Sequence, residues 1–434
     1  MYDKVHVYHT REIMRINREI YLQALIDRMH NGMIKVITGI RRCGKSYLLF
    51  EIFRDYLKST GVDDSHIIAI ELDKRQNMKY HDPDVILEFI ESQITKKGNY
   101  YIFLDEVQML DEFESVLNSL LHISNVDVYV TGSNSKFLSK DVITEFRGRG
   151  DEIHLYPLSF AEFMSVYKGD VYHGWADYVN YGGLPRVLTM KTPQQKVQYL
   201  TSLFNEVYLK DILERNKIDK TQELEDLINI LASSVGSLTN PSKIEKTYKS
   251  ELQKTLTDST IKKYIEFLED AFIVSSAHRY DVKGRKYIGS PLKYYFEDLG
   301  LRNARLGFRQ VEETHVMENI IFNELKMRGY SVDVGIVEAR ERNREGSMLR
   351  KQYEVDFVAN LGSNRYYIQS AFSIPDEEKR KQEKASLVRI DDSFKKIVLV
   401  KDVVNVSRDN DGITTMNVYD FLLNQNSLNV DVIG

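Results

Sequence analysis

Gly39-Ile40-Arg41-Arg42-Cys43-Gly44-Lys45-Ser46 is a full G-x-x-x-x-G-K-[ST] phosphate loop, and its flanks decide what it can do. Met33 to Thr38 is a short, β-rich apolar run, whereas Tyr47, Leu48, Leu49, Ile52 and Phe53 recur at helical spacing. The loop therefore joins a strand to a helix. That setting predicts a phosphate cradle made of successive backbone N–H groups and the positive helix end. Lys45 is expected to reach the β/γ oxygens of a bound nucleotide and Ser46 to hold Mg²⁺, with residues Gly39 to Tyr47 lining the site.

The alternation continues outward. Ile67 to Leu72, Tyr100 to Leu104 and Val126 to Thr131 read as further strands separated by amphipathic stretches, the pattern of a parallel sheet covered by helices. Ile102-Phe103-Leu104-Asp105-Glu106 is an apolar strand ending in two acids. In a phosphate-loop ATPase, Asp105 would support Mg²⁺ and Glu106 would orient the attacking water; an isolated pair of this kind would more simply cap the next helix. Val128-Tyr129-Val130 runs into Thr131-Gly132-Ser133-Asn134, so Ser133 or Asn134 stands where such folds bind ligands and would meet the γ-phosphate or the water. Arg147-Gly148-Arg149 offers positive charge to a transition state, through Arg147 or Arg149, within the chain or to a neighbour; an exposed basic turn explains it equally.

The 434 residues suffice for two to four domains. Hydrophobic residues at 42% and charged residues at 28% exclude a disordered or membrane-embedded chain, and a net charge of −5 excludes a general polyanion binder. Met1-Tyr2-Asp3-Lys4 begins no apolar leader, and no segment is apolar for a bilayer's width, so the expectation is a cytoplasmic protein without a membrane partner. Cys43 is the one cysteine, which rules out an internal disulfide or a cysteine zinc cluster; Lys45 and the helix end would lower its pKa.

From Phe160 to Leu231 helical periodicity takes over, as in Leu200, Leu203, Phe204, Val207 and Tyr208, which suggests a lid or linker. Residues 240 to 312 carry fourteen Lys/Arg against ten Asp/Glu, a local excess of four. There, Asp258 or Ser259 would cap a helix with Ile261, Ile265 and Leu268 on one face and Lys262, Lys263 and Glu266 outward. Phe272-Ile273-Val274 then leads to the basic turn Lys283-Gly284-Arg285-Lys286. The order resembles a winged helix whose hairpin, with Arg279, meets duplex DNA; packing against another protomer or the core is the alternative. From about Val311 a helix over Val316 to Arg328 stops at Gly329, and β-like runs follow around Val332, Val355, Tyr366 and Ile397. The charged stretch from Arg340 to Lys351 reads as an exposed hairpin or loop.

Taken together, the phosphate loop, Leu104-Asp105-Glu106, Thr131 to Ser135, Arg147-Gly148-Arg149 and Tyr156-Pro157-Leu158-Ser159-Phe160 resemble prokaryotic AAA-type ATPases, in particular a family with an appended nuclease-like domain. The resemblance implies an α/β fold: a P-loop NTPase parallel sheet of order 5-1-4-3-2 over residues 1–159, a helical lid over 160–239, a winged-helix region over 240–310, and a C-terminal nuclease-like α/β domain over 311–434. It makes Asp105 and Glu106 the acidic pair of the ATPase, Asn134 or Ser133 the sensor, and Arg147 or Arg149 the finger. Gly182-Gly183-Leu184-Pro185-Arg186 resembles the element with which the lid of related ATPases touches nucleotide, which would involve Pro185 and Arg186; a helix-breaking turn is the plainer reading.

The C-terminal unit resembles the restriction-endonuclease fold, with Glu318 and Asp356 at its acidic metal-ligand positions. Where that fold supplies an acid-x-Lys, this chain has Gln369-Ser370-Ala371, so cleavage is not expected and a binding module derived from the fold is favoured. The expected function is an ATP- and Mg²⁺-dependent switch joined to a module for DNA, a protein partner or a second copy of the chain. A nucleotide-regulated DNA-binding protein with little turnover is the alternative, and an ATP-controlled nuclease drawing a lysine from elsewhere is a third.

Overall fold

The computed structural model describes residues 15–132, 148–309, 312–342, 348–402 and 405–429. Two sheets organise them. The first joins β1 (Ile34–Thr38), β2 (Ile67–Glu71), β3 (Tyr100–Asp105), β4 (Val126–Thr131) and β5 (Gly150–His154) in the order β2-β3-β4-β1-β5, every pairing parallel. This is the expected 5-1-4-3-2 order read from the other edge. Its strands are nearly continuous apolar runs because both faces are covered. Ile34, Val36, Ile70, Ile102, Leu104 and Val130 pack on the helices Pro83–Gln93 and Phe113–Leu121 through Ile86, Ile90, Val116 and Leu120. The residues between them, Ile37, Phe103 and Tyr129, pack on the opposite layer with Leu49, Ile52 and Phe53.

β1 stops at the phosphate loop because Gly39 and Gly44 have φ of 134° and 108°, values that L side chains rarely adopt, and Arg42 is also left-handed. A Cβ on Gly39 would lie 2.1 Å from the Leu155 carbonyl oxygen. The helical layer that follows runs over Phe160–Met164, Val171–Tyr181, Pro193–Leu203, Lys210–Asn216 and Thr221–Ser233.

The second sheet joins β6 (Val274–Asp281), β7 (Lys286–Phe296), β8 (Ser331–Arg342), β9 (Met348–Leu361), β10 (Asn364–Ala371), β11 (Lys395–Val400), β12 (Ser407–Arg408) and β13 (Ile413–Asn417) in the order β12-β13-β11-β10-β9-β8-β6-β7. The β6–β7 hairpin, expected as a wing, adds to the C-terminal strands through parallel pairing of Arg279, Tyr280 and Asp281 with Val334, Gly335 and Ile336. The boundary expected at residue 310 thus falls inside one hydrogen-bonded sheet; pairing between distant strands leaves no local pattern from which it could be read. Thr257, not Asp258 or Ser259, caps the helix Asp258–Asp270, accepting from the Thr260 N–H, and Ile261, Ile265 and Leu268 are buried as expected. The stretch from Arg340 to Lys351 extends β8 and opens β9, with 343–347 outside the described residues.

Candidate functional site

The site stands at the carboxyl ends of β1, β3 and β4. Lys45 is buried, and its ammonium donates to the carbonyls of Gly39 (2.9 Å) and Ile40 (3.2 Å). Both acceptors are neutral, so no carboxylate among the described residues holds the cation in place. Ser46 Oγ donates to Asp105 Oδ1 at 3.0 Å, so the hydroxyl and carboxylate expected to share one Mg²⁺ already touch. Thr131, last residue of β4, donates its hydroxyl to the same carboxylate oxygen and accepts the Glu106 N–H at 3.1 Å. Burial is the main cause that lifts the Asp105 carboxyl above its usual range, partly offset by the Thr131 and Ser46 hydroxyls. A divalent cation would restore its charge.

Glu106 is half-buried and left-handed (φ 51°), turning off the strand, and its side chain accepts a hydrogen bond from Gln108 Nε2. Glu71 at the end of β2 and Asp73 bring further carboxylate oxygens within 4.8 Å of Asp105. Oxygen donors of this kind suit a hard divalent ion. The first-turn N–H groups of the helix opening at Lys45 have no intrahelical acceptors, which suits an anion.

The helical layer closes on the loop. Tyr208 donates its hydroxyl to the Arg41 carbonyl, and the Arg42 guanidinium lies 5.9 Å from the Tyr199 ring. Arg186 is exposed and lines a groove of about 400 Å³ with Tyr199 and Gln195; Pro185 is half-buried beside it. Gly182 and Gly183 are gripped from another side: the Gly183 N–H donates to Asp298 Oδ2 at 2.8 Å, and a Cβ on Gly182 would lie 2.5 Å from that carboxylate. Burial pushes the Asp298 carboxyl up to about 6, moderated by the N–H groups of Leu301, Gly183, Gly300 and Leu184. Next to it, Glu297 Oε1 lies 3.1 Å from His154 Nε2, whose Nδ1 lies 3.1 Å from Thr38 Oγ1, one residue before the loop.

Arg149 is exposed, and its carbonyl accepts the Ile34 N–H at 2.8 Å. It therefore enters at the amino end of the strands, opposite the phosphate loop and about 16 Å from it along β1. Ser133, Asn134 and Arg147 lie outside the described residues. Cys43 is fully buried, and burial raises its thiol pKa, the reverse of the expected lowering, because loss of water outweighs the nearby Lys45 charge.

Glu318 and Asp356 are brought together, with an unexpected companion. Lys293 of β7, 3% exposed, places Nζ 2.8 Å from Glu318, 2.7 Å from Glu354 and 3.7 Å from Asp356. Tyr295 donates to Glu318 Oε1 at 2.6 Å, while Asp356 Oδ2 accepts Gln369 Nε2 and the Ser370 N–H, each at 2.8 Å. Burial, then the Glu318 charge, pushes the Asp356 carboxyl up to about 8, while the carboxylates hold Lys293 above its usual range. Of the basic residues expected to meet DNA, Lys283, Arg285 and Lys286 are exposed at the β6–β7 turn. Lys262 pairs with Asp258 at 2.8 Å, and Lys263 lies 5.6 Å from the Phe267 ring.

Sequence reasoning missed Thr131, Tyr208, Asp298, His154 and Lys293. Thr131 alone carried a signal, as a hydroxyl residue ending a strand next to the acidic pair.

A family model described as an AAA domain matches residues 31–164, and a second, described as a domain of unknown function (DUF8612), matches residues 172–312. An uncharacterized protein of Haemophilus influenzae is 35% identical over 414 residues, 94% of this chain and 98% of its own length. An uncharacterized protein of Methanocaldococcus jannaschii is 27% identical over 85% of this chain and 80% of its own. Among solved structures, the Walker-type ATPase PABY2304 of Pyrococcus abyssi overlaps 68% of this chain and 97% of its own at 14% identity with a TM-score of 0.46, an overlap too loose to bear on the assignment. Among the described residues no helix is long and apolar enough to cross a membrane.

Proposed function

Because this chain belongs to the family of the Haemophilus influenzae protein, and its residues 31–164 form an AAA-type P-loop ATPase fold, we propose that it binds and hydrolyses ATP and works as a nucleotide-driven switch. The observation that carries this reading is the meeting of Ser46, Thr131 and Asp105 at the mouth of the phosphate loop, with Glu106 turned off the same strand. Gly39 to Tyr47 would wrap the phosphates and Lys45 would leave its carbonyls for the β/γ oxygens. Ser46 and Asp105 would hold Mg²⁺, which supplies charge neutralisation at the transferring phosphoryl group. Glu106 would orient the attacking water and take its proton.

The lid reading adds Tyr208, Tyr199, Pro185 and Arg186. A nucleotide that repositions Arg41 and Arg42 alters the acceptor of the Tyr208 hydroxyl and the partner of the Tyr199 ring, so occupancy is felt by the helical layer. Asn134 or Ser133 remains the sensor of this proposal. A finger drawn from Arg147 or Arg149 would act on a neighbouring chain if Arg149 supplies it, given its place at the far end of the strands. ATP turnover tests the reading: Lys45→Ala is expected to lose nucleotide binding, and Glu106→Gln to keep binding and lose turnover. Unchanged hydrolysis in both variants would remove it.

A duplex DNA partner is favoured by the cleft of about 640 Å³ at the hairpin turn. Lys283, Arg285, Arg365, Tyr280 and Phe394 line it together with Asp391 and Asp392. The cations suit the phosphates of a duplex, and the two acids would limit affinity. Charge reversal of Lys283, Arg285 and Lys286 is expected to abolish salt-sensitive DNA binding, and persistent binding would turn attention to a protein partner.

A further inference from the structure

The carboxylates Glu318, Glu354 and Asp356 converge from the helix Glu313–Met327 and from β9, and Lys293 enters from β7. Its ammonium lies within 2.8 Å of two of them and 3.7 Å of the third, with nearly all of its surface buried. We propose that Lys293 is a built-in cation occupying this acidic site, so that the site excludes divalent metal and serves as the joint fastening the β6–β7 hairpin to the C-terminal strands.

The remaining coordination of the carboxylates agrees with this. Glu318 Oε1 takes both the Lys293 ammonium and the Tyr295 hydroxyl, Glu354 Oε1 takes the ammonium at 2.7 Å, and Asp356, whose Oδ2 takes two N–H donors, turns Oδ1 to Lys293. A divalent ion needs several oxygens at about 2.1 to 2.5 Å, and the ammonium occupies the point on which Glu318 Oε1, Glu354 Oε1 and Asp356 Oδ1 converge. Glu318 is covered as well: the Gly236 N–H donates to the Tyr294 carbonyl at 3.2 Å, and a Cβ on Gly236 would lie 3.3 Å from the Glu318 carboxyl, while Glu354 keeps its outer side toward solvent.

The joint continues along β7. Asn319, one residue after Glu318, accepts the Phe296 N–H at 2.9 Å and donates to the Phe296 carbonyl at 2.8 Å; Asn323 adds a second donor to that carbonyl. β7 is thereby tied to the helix at Lys293, Tyr295 and Phe296, and the ion pairs sit at the first of those ties. Removing the ammonium would leave converging carboxylates without a counter-charge, which is what a hard divalent cation binds.

Calorimetric titration of the full, nucleotide-free chain with Mn²⁺ tests this independently of ATP turnover. Wild type and Glu318→Gln are expected to bind Mn²⁺ alike, any binding at Asp105 being common to both. Lys293→Met is expected to gain one site at least tenfold tighter than any in wild type, and Lys293→Met/Glu318→Gln to lose it. A wild-type site that disappears in Glu318→Gln, or a folded Lys293→Met that gains none, would overturn the proposal. Should Lys293→Met fail to fold, as judged by circular dichroism, the comparison of wild type with Glu318→Gln and Asp356→Asn decides alone.

Discussion

Lys45 and Lys293 are both buried close to carboxylates, and they are held in opposite ways. Lys45 rests on the neutral carbonyls of Gly39 and Ile40, with Asp105 left to Ser46 and Thr131. Lys293 rests on Glu318 and Glu354 themselves. A cation on carbonyls is free to exchange them for a phosphate, whereas a buried one whose charge is matched by carboxylates has nothing to gain by leaving. The same residue types thus make an open site in one sheet and a closed one in the other.

The largest expected effect breaks the open site. Glu106→Gln should reduce ATP turnover by roughly 10²–10⁴-fold with nucleotide affinity retained, measured by phosphate release alongside equilibrium binding. A variant that still turns over would show that another group takes the proton.

The contrast between the lysines is sharpened by denaturant unfolding. Lys293→Ala should cost roughly 3–5 kcal/mol, because Glu318 and Glu354 are stranded, while Lys45→Ala should cost about 1–3 kcal/mol, the worth of its two hydrogen bonds to carbonyls. Equal losses would mean that the two sites are held alike.

Asp298 provides a pH test of the packing around Gly182 and Gly183. Its carboxyl rises from 3.8 to about 6 on folding, so the folded state binds the extra proton. Its contribution to stability is therefore present below about pH 4 and is lost as the pH rises through 6. Relative to Asp298→Asn, wild type should lose roughly 2.5 kcal/mol between pH 4 and pH 7. Parallel stability curves for the two proteins would place the proton elsewhere.

The smallest effect probes the lid. Tyr208→Phe removes one hydrogen bond to the Arg41 carbonyl and should cost about 1 kcal/mol, read as a few-fold change in ATP affinity at unchanged fold. No change in affinity would uncouple the helical layer from the loop.

The phosphate loop, the strands β1 to β4 and the acidic pair were legible because each is a local pattern. An apolar run buried on both faces, a glycine forced to positive φ and a helix beginning at Lys45 are all written within a few neighbouring residues. The buried face of Asp258–Asp270 was legible for the same reason, through Ile261, Ile265 and Leu268. Thermodynamic context was less readable. Lys45 beside Cys43 argued for a low thiol pKa, and only full burial of the sulfur reversed the sign.

The acids at 318 and 356 were likewise visible one at a time. The missing lysine in Gln369-Ser370-Ala371 was a correct local reading, but local reading could not find that Lys293 fills the cluster from β7, 63 residues upstream of Asp356 in the chain. The sequence by itself determined the phosphate loop and the parallel sheet that presents it, because short-range periodicity and backbone sterics specify both. Tertiary structure alone decided that the expected wing joins the C-terminal sheet and that the second acidic site is closed. Strand pairing and ion pairing between distant residues depend on distance in space, for which chain separation offers no measure.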